Sequence, residues 1–172
     1  MKRFLIIGAT ALLSACGGQE MVAHAPIGTL VTPGAAPWLT VKGDEPQLEV
    51  RGLDHKLTLQ PSPDLSAAVQ SQLGSRLNGD YFTNLVVTCT ALTATLRVDQ
   101  DKAPGDVAMD MGLHCSFWAR GFDTAHDYKT RVSTAVTGGA GDQGYADALA
   151  KLVADGSADI AGQVSSDLRH LK

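Results

Sequence analysis

The sequence predicts an α+β fold, a two-layer sandwich in which a mainly antiparallel β-meander is covered on one face by two helices. Two kinds of periodicity predict it. Apolar residues alternate with polar residues in several runs, as in half-buried strands, and recur three and four residues apart in two others, as in amphipathic helices. These segments follow one another in the order β-α-β-β-β-α. The length of 172 residues is that of one domain.

The first strand region and the first helix lie between residues 46 and 77. Apolar and polar residues alternate over 48–50 and again over 57–59, as in strands with one buried face. Over 62–77, apolar residues recur at spacings of three and four, which predicts a helix with one apolar side.

Two long alternating segments follow, and together they predict a hairpin that contains a β-bulge. Apolar residues occupy odd positions over 85–91 but even positions over 92–98, and this change of face requires one extra residue near Ala91. Residues 107–119 then keep their apolar side chains at odd positions. Matching the apolar faces around the intervening loop places Val98 opposite Val107, although a slip of two residues would match them equally well.

This register brings two cysteines together. With one residue skipped at the bulge, Cys89 lies opposite Cys115, and directly opposed residues have Cβ atoms about 4.5–5.5 Å apart. In an oxidising compartment such a pair forms a disulfide, whereas a cytosolic pair suits a metal or redox role. Neither cysteine has a His or Cys at zinc-ligand spacing. We therefore expect a Cys89–Cys115 disulfide.

A third hairpin strand and a long helix complete the predicted domain. Residues 121–127 read as a turn, and apolar and polar residues alternate over 128–136. After a glycine-rich break, one apolar helical face runs over 142–168. Gly156 and Gly162 weaken this helix but would permit its close packing on the sheet.

The N-terminus has the pattern of a secretion signal. Basic residues at the start precede an uncharged apolar run, Phe4–Leu13, which is the length of a signal-peptide core and too short to span a bilayer. The sequence Leu13-Ser14-Ala15-Cys16 then resembles the bacterial lipobox. The resemblance implies that residues 1–15 are removed and that Cys16 carries diacylglycerol and a further acyl chain such as palmitate. The alternatives are a secreted protein in which Cys16 is incidental and a short membrane helix.

The resemblance also implies a location and a domain division. Gly17 and Gly18 follow the cysteine without an Asp, which by resemblance to known sorting patterns favours the periplasmic face of the outer membrane. Several prolines and glycines and no clear period predict a lipidated N-terminus and tether over 16–45, and a single α+β domain over 46–172. Cleavage moves the formal net charge from −4 to −6, because two basic residues and no acidic ones are lost.

Composition and motifs exclude several functional classes. An acidic pI of about 5.6 argues against nucleic-acid binding, which needs clustered basic residues. The glycine-rich stretch 138–144 lacks the Lys-Ser/Thr end of a phosphate-binding loop and the spacing of a dinucleotide site. No Gly-x-Ser-x-Gly motif and no metal-ligand spacing occur. We therefore expect a protein that is not an enzyme and holds no cofactor or metal.

The remaining candidate site lies on the polar side of the predicted strand 107–119. Trp118 projects there beside His114, with Arg120 just beyond, and an exposed Trp near Arg is typical of interface anchors. The alternative is that the N-terminal segment, through Trp38, covers this face. A hydrolase with dispersed residues is a further hypothesis, and it requires His114, His126 and Asp123 to converge on a pocket.

Taken with the lipobox, the helices and the strand pair around 99–106 resemble the YajG-type family of small envelope lipoproteins. The order of elements is also similar to that of the lipopolysaccharide-assembly lipoprotein of the outer membrane. The expected lipid anchor and the absence of a catalytic constellation in the sequence predict a non-enzymatic lipoprotein that binds another envelope component, as an assembly or accessory factor. A lipopolysaccharide-assembly role and a periplasmic inhibitor or immunity protein that occludes an enzyme are the alternatives.

Overall fold

A computed structural model describes residues 20–34, 36–43, 47–103, 105–136 and 141–170. They form a mixed seven-stranded sheet and two α-helices, which confirms the predicted α+β class. The strands are β1 (Glu20–Pro26), β2 (Leu39–Val41), β3 (Leu48–Arg51), β4 (Lys56–Ser62), β5 (Val86–Val98), β6 (Asp106–Ala119) and β7 (Phe122–Ala135). The helices are α1 (Leu65–Arg76) and α2 (Asp142–His170), and short 3-10 turns cover Gly28–Leu30 and Gly79–Tyr81.

The sheet has the order β1-β4-β3-β5-β6-β7, and β2 pairs with β5 off this path. Strands β5, β6 and β7 form the predicted antiparallel meander, and β3 and β4 form a second antiparallel pair. The pairs β1–β4, β2–β5 and β3–β5 are parallel. The predicted order β-α-β-β-β-α is therefore corrected to four strands, α1, three strands and α2.

The predicted tether over 16–45 is corrected for the part that the structure describes. Strands β1 and β2 belong to the sheet, and Ala25, Ile27, Leu39 and Val41 are buried in its core. Helix α1 holds this segment through side chains that satisfy backbone groups: Gln72 donates to the Leu30 carbonyl, Ser71 accepts from the Thr32 amide and Gln70 accepts from the Val41 amide. The predicted signal peptide and Cys16 lie outside the described residues.

The β5–β6 hairpin has the register expected from its apolar faces. Val98 pairs with Val107, and Cys89 pairs with Cys115. Between the Thr90 and Thr93 pairs, two residues of β5 stand against one of β6, and Ala91 has a φ of 51°. This is the predicted β-bulge. The two cysteines are joined by a disulfide with an S–S distance of 2.09 Å.

The turn predicted over 121–127 is wrong, because β7 begins at Phe122. Ala119 pairs with Phe122, which leaves a two-residue turn in which Gly121 has a φ of 105°. The Phe122 ring packs edge-on against Phe82, with ring centroids 4.6 Å apart. This contact anchors the first residue of a strand whose next residues are mostly exposed and polar, which is why the pattern resembles a turn.

Helix α2 lies against both ends of the strand path, because it contacts the edge strands β1 and β7 as well as β6 and β4. Helix α1 packs on α2 and β2. A Cβ atom built at Gly156 would lie 2.9 Å from the Met111 Cε atom, so this glycine permits a close approach of helix and sheet, as expected. At Gly162 the expectation is wrong, because no atom lies within 4 Å of such a Cβ.

A polar stripe of α2 binds the edge strand β7. Its three side chains are spaced four residues apart and meet consecutive residues of the strand: Asp159 accepts from the Thr130 hydroxyl, Gln163 donates to the Lys129 carbonyl and Asp167 accepts from the Tyr128 hydroxyl. Burial raises the pKa of Tyr128, and its bond to Asp167 raises it further. Gln163 thereby occupies the Lys129 carbonyl, a backbone group of an edge strand to which another strand could otherwise hydrogen-bond.

Leucine substitutions at the two glycines of α2 should have opposite effects on stability. Gly156→Leu should lower the free energy of unfolding by about 1–3 kcal/mol, because the larger side chain overpacks the contact with β6. Gly162→Leu should be neutral or stabilising by up to about 1 kcal/mol, because glycine is a poor helix former and the site is open. Urea denaturation of both variants measures this difference, and equal effects would contradict the packing described here.

Candidate functional site

The outward-facing side chains of β5, β6 and β7 form a broad polar surface, which we call the open face. Its residues are Val86, Thr88, Thr90, Thr93, Thr95 and Arg97 on β5, then Ala108, Asp110, Gly112, His114, Ser116 and Trp118 on β6, and Asp123, Ala125, Asp127, Lys129, Arg131 and Ser133 on β7. They are exposed or half-buried, whereas most of the alternate residues of β5 and β6 are in the core. Residues of the three strands face one another in rows across the sheet.

The row at one end of the open face contains two exposed apolar side chains, Val86 and Trp118. Trp118 pairs with Val86 on one side and with Asp123 on the other, and it is 53% exposed. Trp38 does not cover it. The Trp38 carbonyl accepts a hydrogen bond from the Val87 amide, and its ring lies near Gly79, so this segment extends the sheet. Trp118 is therefore exposed, and the alternative in which Trp38 covers it is not found.

The other two predicted partner-binding residues flank this row at different distances. Arg120 lies exposed in the turn between β6 and β7. His114 lies four residues before Trp118 on the same face, and its Nδ1 atom is 2.7 Å from the Asp127 Oδ1 atom. Both side chains of this pair are substantially exposed, so the contact orients the imidazole at the surface.

The convergence of histidines required by the hydrolase hypothesis is not found. His126 pairs with Cys115 and shares its side of the sheet, whereas His114 lies on the open face. Asp123 is on the open face beside Trp118 and away from His126. Within the described ranges, no three His, Cys, Asp or Glu side chains are grouped so as to hold a metal ion. Nor does any helix in those ranges have the length and apolar content needed to cross a membrane.

A depression interrupts the middle of the open face where Gly112 contributes no side chain. Its volume is about 420 Å³, and Thr93, Thr95, Asp110, Lys129 and Arg131 line it. This site was not predicted from the sequence. In the sequence these residues are marked only as polar positions within segments that alternate between polar and apolar residues. They come together only when β5, β6 and β7 pair in register.

A second polar cluster ties the start of α2 to the bend between β3 and β4. The His55 Nδ1 atom is 2.7 Å from the Asp54 Oδ1 atom, and its Nε2 atom is 2.8 Å from the Asp142 Oδ1 atom. The bonds to Asp54 and then to Asp142 raise the pKa of His55, and the bond to His55 lowers the pKa of Asp54. The protonated histidine therefore joins two elements that are distant in the chain.

This cluster should make stability depend on pH. Because the folded state raises the pKa of His55, its contribution is complete below the ordinary value of about 6.5 and is lost as pH rises through the raised value. The contribution of Asp54 is present above its ordinary pKa and is lost as pH falls through the lowered one. His55→Gln should flatten the decline in unfolding free energy between pH 6 and 9, measured by urea denaturation. His24→Gln, at an exposed position of β1, should leave that decline unchanged, and an equal decline in all three proteins would disprove the role of His55.

Comparisons with known proteins add little to this description. No family model matches the chain, and no curated protein matches it significantly. A solved structure described as that of an uncharacterized protein is similar over 74% of this chain and 88% of its own, with 14% sequence identity and a TM-score of 0.42.

Proposed function

We propose that this protein is a non-enzymatic lipoprotein, anchored at the periplasmic face of the outer membrane, that binds another envelope component through its open face. The observation that carries this proposal is Trp118, a large apolar side chain that is 53% exposed beside Val86 on the mostly polar open face. Such an isolated aromatic on a rigid strand is suited to anchor a partner. The disulfide is consistent with an oxidising compartment. The resemblance to YajG-type envelope lipoproteins supports the same compartment.

The early start of β1 constrains how an anchored domain would sit. Glu20, the first residue of β1, lies four positions after Cys16, and four extended steps of the chain span at most about 14 Å. A lipid on Cys16 would therefore hold the domain close to the membrane surface. This arrangement replaces the flexible 30-residue tether that the prolines and glycines suggested.

The same anchor would orient the open face. Strand β1 begins beside the start of β4, which pairs through β3 with the C-terminal end of β5. The Trp118 row lies at the opposite end of β5 and β6. A 14-residue strand such as β6 is about 45 Å long, so Trp118 would lie at the end of the domain that is farther from the membrane. A partner there could reach it without competing with the bilayer.

Recognition through the open face is favoured over recognition through a sheet edge. Both edge strands, β1 and β7, contact α2, and the polar stripe of α2 already binds residues of β7. A peptide that added a strand would have to displace these contacts. The side chains of the open face, by contrast, are accessible as they stand.

Lipid attachment predicts a change of fraction on substitution of Cys16. Cys16→Ser should move the protein from the membrane pellet to the soluble periplasmic extract, because the acyl chains provide the attachment. The matched control is the double variant Cys89→Ser, Cys115→Ser, which removes the other two cysteines and should remain in the pellet. Retention of Cys16→Ser in the pellet would refute the anchor.

Partner binding through Trp118 can be tested by photo-crosslinking in cells. A photoreactive aromatic amino acid at position 118, which keeps a large apolar ring at the anchor, should give a discrete adduct with an envelope component. The same amino acid at Lys151, on the exposed side of α2, should give none. Trp118→Ala should reduce recovery of that component at least tenfold, as expected for an interface anchor.

The identity of the adduct discriminates between the functions. An envelope assembly protein or polymer would support the proposal, and equal adducts at 118 and 151 would refute it. An enzyme whose activity falls in the adduct would instead identify an inhibitor or immunity protein. Adducts with the lipopolysaccharide translocon would identify a lipopolysaccharide-assembly factor.

A further inference from the structure

We infer that the Gly112 depression of the open face binds the acidic group of an anionic sugar. This inference rests on the proposed function, because it names the ligand class of the same face. Two cross-strand rows build the site: Thr93, Gly112 and Lys129 form one, and Thr95, Asp110 and Arg131 form the next. Opposed residues lie about 5 Å apart, so the absent side chain at Gly112 leaves a gap between a hydroxyl and an ammonium group.

The charge of the site favours an anion. Asp110 lies between two guanidinium groups, with the Arg131 Nε atom 3.6 Å and the Arg97 Nε atom 3.8 Å from its carboxylate oxygens. The charged side chains that line the depression are Lys129, Arg131 and Asp110, and Arg97 adds a third cation next to Asp110, in a chain whose net charge is −4. The site is therefore a local positive region on an acidic protein. A phosphate or carboxylate is the group that guanidinium and ammonium donors bind best.

The groups beside the cations favour a sugar as the carrier of that charge. Thr93 and Thr95 present hydroxyl groups at the rim, and Thr90 and Ser116 continue this pattern along the face towards Trp118. Hydroxyl side chains both donate and accept hydrogen bonds, which matches the hydroxyls of a sugar. A volume of about 420 Å³ lies in the range of small-molecule sites.

A phospholipid fits the same surroundings less well. Its headgroup would supply the anion, but its acyl chains need an adjoining apolar groove. Apart from Ala108 and His114, the outward neighbours of the depression are hydroxyl-bearing or charged, and the exposed apolar pair of Val86 and Trp118 lies at the far end of the face. Trp118 is six residues from Gly112, or about 20 Å along β6. Its ring could pack against a later unit of a saccharide that lies along the strand.

Calorimetric titration of the full-length protein tests the site. Glucuronate and glucose 1-phosphate should bind, whereas neutral glucose should bind at least tenfold more weakly. Lys129→Ala and Arg131→Ala should each reduce affinity about tenfold, because each removes a charged hydrogen-bond donor. Lys151→Ala, which removes an exposed lysine paired with Asp155 on α2, should leave affinity unchanged. Thermal unfolding of each variant establishes that it is folded.

Other outcomes would overturn the inference. Equal affinity for glucose and glucuronate would refute the anion site. Affinity for glucuronate that neither Lys129→Ala nor Arg131→Ala changes would refute it as well. If inorganic phosphate bound as tightly as glucose 1-phosphate, the sugar would contribute nothing to affinity, and the assignment to a sugar ligand would be refuted. Binding to phosphatidylglycerol vesicles, but neither to phosphatidylcholine vesicles nor to glucuronate, would assign the site to lipid. Loss of the crosslink at Trp118 with intact glucuronate binding would refute the partner surface but not this site.

Discussion

Burial of one side of α2 against the inner face of the sheet is the interaction on which the other features depend. Leu149, Leu152, Ile160, Val164 and Leu168 on that side are fully or almost fully buried. The helix contacts the strands at both ends of the sheet path, and its polar stripe continues onto β7. Helix α2 thereby covers part of the inner face of the sheet and contacts its outermost strands, β1 and β7. The outer side of the meander is left as the surface on which exposed groups are arranged regularly.

The parts of this arrangement that could be predicted are those encoded along one strand or one helix. Alternation and helical spacing located α1, α2, β5 and β6, because these elements bury one face against a common core. The change of parity at Ala91 predicted the bulge, and one of the two registers that match the apolar faces then placed Cys89 opposite Cys115, as the structure shows. A change of face can be read from neighbouring residues alone, since successive side chains of a strand point in opposite directions.

The parts that were missed depend on contacts between distant segments. Strand β2 has only three residues and β1 is mostly exposed, so neither carries a clear period, and both gain their structure from parallel pairing with later strands. The contact of His55 with Asp142 joins residues 87 positions apart. The Gly112 depression requires three strands in register before its charges meet. In each case the structure depends on a segment that is distant in the chain, so the local sequence does not predict it.

The disulfide resolves an ambiguity that the apolar pattern leaves open. Apolar faces of β5 and β6 would match equally well after a slip of two residues, so hydrophobic burial does not choose between the two arrangements. In the slipped arrangement the cysteines would become diagonal neighbours, with Cα atoms about 7–8 Å apart, beyond the usual reach of an S–S bond. The disulfide between Cys89 and Cys115 fits the register in which the two cysteines are directly opposed. Once formed, the covalent bond holds β5 and β6 in this register, which the apolar residues alone do not specify.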